Sequence, residues 1–95
     1  MPIEIYFAPK AGAQTINLQD LSKLFSIDGN RCSIKKETEE LFWLVFNKYE
    51  SSILFSVSGT AIVFATLHWV SSKDEVCIVE HITRVFEGLN WFNSK

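Results

Sequence analysis

Cys77 and His81 stand four residues apart in a stretch of helical periodicity, so they share one helix face. A thiol beside an imidazole is the arrangement that generates a thiolate nucleophile. That chemistry also needs an oxyanion loop and an orienting Asn or Asp, and neither is identifiable. The plainer reading makes Cys77 a small buried hydrophobe with His81 at the helix edge. Cys32, His68, Cys77 and His81 are also the residue types that ligate zinc. Their spacings of 36, 9 and 4 match no ligand knuckle, and the histidines fall on different elements. No catalytic, cofactor-binding or metal-ligating residue is therefore assigned, and the chain is read as a non-enzyme without a cofactor.

Charged side chains offer a different chemistry. Glu37, Glu39 and Glu40 crowd one polar turn, KETEE, and such a cluster steers a basic partner or simply solvates a loop. Arg31, Lys35 and Lys36 form a basic strand edge beside it. Lysines on an edge strand guard against sheet-to-sheet pairing. No aromatic residues are interleaved with them to stack bases, which argues against nucleic acid. The whole chain carries 9 Lys+Arg against 11 Asp+Glu, a net charge of −2, where a general nucleic-acid binder shows a basic excess.

The elements that must position these groups follow from periodicity. Ile3–Phe7 alternates as a first strand, closed by Pro9. Asn17 is a candidate N-cap for a helix over Leu18–Phe25, with Ile16 and Leu21 as a hydrophobic staple. Arg31–Lys36 alternates as a half-exposed strand. ELFWLVFNKY, 40–49, is apolar on both faces, the mark of a central strand. Ser72-Lys73-Asp74-Glu75 reads as a capping box opening a helix from Lys73 to about Leu89, with Val79, Ile82, Phe86 and Leu89 on its apolar side. Gly88 and Asn90 end it, and Trp91 and Phe92 fold back onto the body.

Residues 51–72 carry no charged side chain, long enough for a membrane helix of about 20 residues. Ser58-Gly59 near the middle is a turn signal, β-branched and aromatic residues flank it, and neither end has a basic anchor. A hairpin is expected instead, with Val57 facing Thr60, Phe55 facing Ile62 and Ile53 facing Phe64. In that pairing Ala61, Val63, Ala65, Leu67 and Trp69 share a second, apolar face.

The element order is then β-α-β-β-β-β-α: a single α+β domain over 1–95, with a five-stranded, largely antiparallel sheet and two helices on one face. The place of the first strand in the sheet is left open. The composition, 47% hydrophobic with three Trp and eight Phe, supplies more apolar surface than two short helices can cover. A second face of that kind takes a partner, another copy of the chain or the C-terminal Trp91-Phe92 segment with the 9–16 loop. Two cysteines are too few for a disulfide scaffold, and MPIEIYFAPK has no signal-peptide pattern, so a reduced, cytoplasmic setting is expected.

The meander EELFWLVFNKYESSILFSVSGTAIVFATL followed by a capped helix, in a small acidic chain, resembles bacterial toxin-immunity proteins. The resemblance implies a protein-binding module that neutralises a specific toxin, often a basic nuclease, through surface complementarity. Within it Glu37, Glu39 and Glu40 are the expected charged contacts and Trp69 or Trp91 the anchor. The alternatives are a small ligand-binding or enzymatic domain using His68, Cys77 or His81, and a homodimeric structural subunit joined through Val63, Leu67 and Trp69.

Overall fold

The computed structural model describes residues 2–26, 32–46, 49–59, 61–70 and 76–93. Arg31 and the Ser72–Glu75 capping box lie outside them, as do the side chains of Ile3 and Trp69. Six strands form one antiparallel sheet: β1 Pro2–Pro9, β2 Cys32–Lys36, β3 Leu41–Phe46, β4 Ser52–Ser58, β5 Ala61–Val70 and β6 Trp91–Asn93. Their spatial order is β2-β3-β4-β5-β1-β6. The four-strand meander is as expected from its short connections. β1 is inserted between β5 and β6. Two helices, α1 Leu21–Leu24 and α2 Val76–Gly88, complete an α+β fold.

The uncharged stretch is the β4–β5 hairpin, and no helix among the described residues is long and apolar enough to cross a membrane. Its register differs from the expected one. Ser58 pairs with Ala61 and Val57 with Ile62, so the loop is 59–60 rather than Ser58-Gly59. Gly59 sits at φ 66, a left-handed conformation that glycine adopts without a Cβ penalty. A β-bulge then skips Val63, and pairing resumes with Ser56 opposite Phe64 and Phe55 opposite Ala65. The bulge has a clear physical reason. An uninterrupted alternation from Ile62 would turn Thr66 and His68 into the core. Skipping one residue turns Ala65 and Leu67 inward instead, both with no exposed surface. Val63 is consequently 46% exposed and shares no face with buried Leu67. Leu67 of the expected dimer face is therefore unavailable to a partner, and the Trp69 side chain lies outside the described residues.

One face of the sheet carries the core. Phe7 of β1, Leu44 and Phe46 of β3, Ile53, Phe55 and Val57 of β4, and Trp91 of β6 meet Leu21 and Phe25 around α1 and Ile78, Ile82 and Phe86 of α2. Both helices therefore lie on the same face. Phe86 is the hub: its ring stacks on Phe7 at 4.3 Å and meets Phe25 at 5.0 Å and Trp91 at 5.3 Å.

The first helix is shorter than its periodicity suggests. Residues Leu18–Asp20 form a 3-10 turn, in which the Asp20 N–H donates to the Asn17 carbonyl at 3.0 Å, and α1 follows for one turn. Asn17 is not the N-cap, because its backbone bridges to Ala61 while the Ile16 carbonyl accepts from the Ile62 N–H at 3.2 Å. Sheet pairing of 16–17 competes with the helical start and wins.

The sixth strand was not expected. Asn90 takes φ 63, and its N–H donates to the Glu87 carbonyl at 3.1 Å, reversing the chain after α2. Asparagine tolerates this left-handed position better than most side chains. The Lys10 N–H then donates to the Asn90 carbonyl at 2.9 Å, and Trp91 pairs with Pro9.

Candidate functional site

The β2–β3 connection, 37–40, is a tight turn: the Glu37 and Thr38 N–H groups both donate to the Leu41 carbonyl, at 2.9 and 3.1 Å. All three glutamates of this turn are exposed at the sheet's end. Glu39 accepts from Lys36 at 3.0 Å, but both side chains are largely exposed, so water screens the pair. Glu37 accepts from the Trp43 indole N–H, which ties the acidic turn to the first aromatic residue of the face behind it.

Two recesses flank this tip, one on either side of a ridge made by Glu39, Val57 and Gly59. On the helix side a cleft of about 560 Å³ is lined by Ile34, Phe42 and Val57, with Asn17 and Gln19 opposite. It exists because the helical layer there is only a 3-10 turn and one turn of α1, leaving Ile34 38% exposed. On the other side a recess of about 470 Å³ is lined by Leu41, Ser56, Ser58 and Val63 with Thr38 and Glu40. Bulging of β5 at Val63 contributes to that recess. The tip thus combines negative charge with two concave, partly apolar surfaces within reach of it.

Beyond the tip lies the sheet face without helices. Rows of paired side chains cross it: Lys35, Trp43, Leu54, Thr66 and Tyr6 in one, Ser33, Val45, Ser52, His68 and Glu4 in the next. Trp43 packs against His68 with ring centroids 5.1 Å apart. Glu4 accepts from the Tyr6 hydroxyl and lies 3.8 Å from His68 Nδ1. The hydrogen bond to Glu4, then the charge of that carboxylate, raises the Tyr6 phenol above its ordinary value. The sign is that of a group whose protonated form the fold favours, so the bond persists at neutral pH and is lost as pH rises through the Tyr6 titration. Glu4→Gln should move that titration, followed by phenolate absorbance, to lower pH; an unmoved curve would show that Glu4 does not hold the phenol.

The remaining sequence candidates do not assemble into a site. His68 is on the open face, whereas Cys77 and His81 are on α2 across the sheet, and among the described residues no group of three His, Cys, Asp or Glu could hold a metal ion. Cys77 is exposed, not the buried hydrophobe expected, and its sulfur lies 3.8 Å from the Tyr49 hydroxyl. The Cys32 thiol points to the Phe25 carbonyl at 3.7 Å, and burial raises its pKa, which favours the protonated thiol. Trp91 is 2% exposed in the core and presents no surface to a partner. Of Trp69 the structure gives the backbone, paired with Ile3. Sequence reasoning passed over Trp43, Tyr6 and Glu4; period-2 alternation in β1 and β3 does place each on the face opposite the core, and that was the available signal. Comparison of the chain with protein-family models, with curated proteins and with solved structures finds no match in any of the three.

Proposed function

We propose that the chain is a protein-binding module of the inhibitor or immunity type, which holds a basic partner, such as a toxin nuclease, at the Glu37–Glu40 tip. The supporting observation is the juxtaposition of three exposed carboxylates with a recess on each side of the Glu39–Val57–Gly59 ridge. Carboxylates exposed to water accelerate encounter with a cationic surface but add little affinity by themselves. Concave apolar ground beside them supplies what charge lacks, sites where an aliphatic or aromatic side chain of the partner is desolvated. Glu37, Glu39 and Glu40 steer in this reading; Ile34, Phe42 and Leu41 receive.

The test is affinity capture of the tagged protein from its native cells, comparing wild type with a Glu37→Lys, Glu39→Lys, Glu40→Lys variant. One basic protein retained at about one-to-one in moderate salt, with association slowed roughly 10- to 100-fold by the triple reversal, supports the reading. Undiminished capture by the reversed variant overturns it. Toxicity of the captured protein expressed alone supports the immunity form.

Ligand binding is the second reading, favoured by the helix-side cleft, whose 560 Å³ falls within the range of small-molecule sites. It predicts loss of a captured small molecule on Phe42→Arg with no effect of reversing Glu37 and Glu40, which do not line that cleft.

A further inference from the structure

Among the described residues, nothing covers the helix-free face of the sheet. Leu41, Trp43, Val45, Leu54 and Phe64 are each only half-buried there, and Phe92, opposite Ala8 on the β6 edge, is 41% exposed. The two segments that were candidates to cover it do not. Ile16 of the 9–16 loop and Trp91 both enter the core on the helix side.

We infer that a second copy of this chain docks on that face, sheet against sheet, about a two-fold axis running along β4. The register carries the inference. In the order β2-β3-β4-β5-β1, β4 is the middle strand. A two-fold parallel to it exchanges β3 with β5 and β2 with β1. Within the row Lys35, Trp43, Leu54, Thr66 and Tyr6, each residue then meets its mirror position. Trp43, the largest side chain of the row, meets Thr66, which is sunk to 9% exposure between its neighbours. Leu54 meets Leu54 on the axis. Lys35 meets Tyr6, whose hydroxyl donates to Glu4, so the one ammonium of the row arrives at the carboxylate of the opposite edge. Large opposes small and plus opposes minus without any change in the sheet, which is the self-complementarity an isologous interface requires.

The size is also right. The five exchanged strands, spaced about 4.8 Å apart with about five residues each at about 3.4 Å, give a projected footprint near 400 Å², and β6 extends beyond it. Side-chain relief raises its accessible area toward the ~800 Å² per partner of a standard interface. Stacked sheets pack about 10 Å apart with strands within about 30° of parallel, which accommodates Trp43 over Thr66. The acidic tip borders this face at Leu41 and, through Glu37, at Trp43, so self-docking and capture of a basic partner are separated by reversing Glu39 and Glu40 alone.

Sedimentation equilibrium of the purified chain is expected to show a dimer at micromolar concentration. Leu54→Arg places two like charges on the axis and should raise the dimer Kd more than about 100-fold, because like-charge juxtaposition costs several kcal/mol. Since Leu54 is already half-exposed, the variant should keep its far-UV spectrum and urea midpoint, which are measured alongside. Lys35→Glu and Glu4→Lys should each weaken the dimer by about tenfold, and the double variant should return it to within about threefold of wild type. A monomer at 100 µM or above, a dimer indifferent to Leu54→Arg, or a double charge swap that fails to recover would each overturn the proposal. A Glu39→Lys, Glu40→Lys variant that loses the basic partner while the dimer persists overturns nothing here and separates this inference from the tip reading.

Discussion

Replacing Phe86 with alanine is expected to cost about 3–5 kcal/mol, the range for truncating a buried aromatic residue, out of a total stability of about 5–15 kcal/mol. Phe86 has no exposed surface and meets four aromatic rings: Phe7, Phe25, Phe55 and Trp91. Those rings come from β1, the end of α1, β4 and β6, so truncation loosens four elements at one point. Relaxation into the void is limited, because Phe7 and Phe55 are held by strand pairing on both sides. For a domain of this size the loss corresponds to a fall in Tm of roughly 15–30 °C. Urea denaturation followed by tryptophan fluorescence measures it. A loss below about 1 kcal/mol would mean that the ring is not the packing hub the structure shows.

Trp91 gives the second large effect and a sharper contrast. It is buried in the core, its strand is only three residues long, and its packing on Phe86 is what holds that strand in place. Trp91→Ala should cost about 3–5 kcal/mol and release the C-terminal segment to proteolysis. Trp91→Phe should be far milder. The indole Nε1 is buried and finds no acceptor among the described residues. A buried N–H without a partner carries a penalty of about 1–3 kcal/mol, and phenylalanine removes it while keeping most of the apolar contact. The stability of Trp91→Phe should therefore lie within about 1 kcal/mol of wild type. Equal losses in the two variants would show that the N–H is satisfied and the contrast misplaced.

Alternation made most of the sheet legible before any coordinates. β1, β3 and β4 have regular period-2 patterns, and the short turns between β2, β3, β4 and β5 leave no option but antiparallel neighbours. The acidic cluster was equally visible, since a polar KETEE between two strands can only be a turn, and a turn at the sheet's end leaves its carboxylates exposed. The α+β class, the hairpin in place of a membrane helix and the burial of α2 through Ile82 and Phe86 all followed from local pattern.

What escaped the sequence depends on non-local competition. The β4–β5 register shifted because a bulge at Val63 exchanges Thr66 and His68 for Ala65 and Leu67 in the core, a choice that exists only once the facing strands and helices are present. Asn17 gave up a capping role because Ala61 offered its backbone a strand partner. β6 is too short to declare itself by alternation and forms because β1 has a vacant edge and Phe86 a vacant side. The recesses beside the acidic tip have the same origin. Val57 and Gly59 lie far from Glu39 in sequence and meet it only through the pairing of β3 with β4, whose hydrogen bond from the Val57 N–H to the Glu40 carbonyl at 2.8 Å fixes the tip against the hairpin. Local sequence determined the strands, the turns and the charge they display. The tertiary structure decided which face of each strand is buried at its far end, and so which charges and apolar groups come together, because those choices are made by energies of packing between segments and not within them.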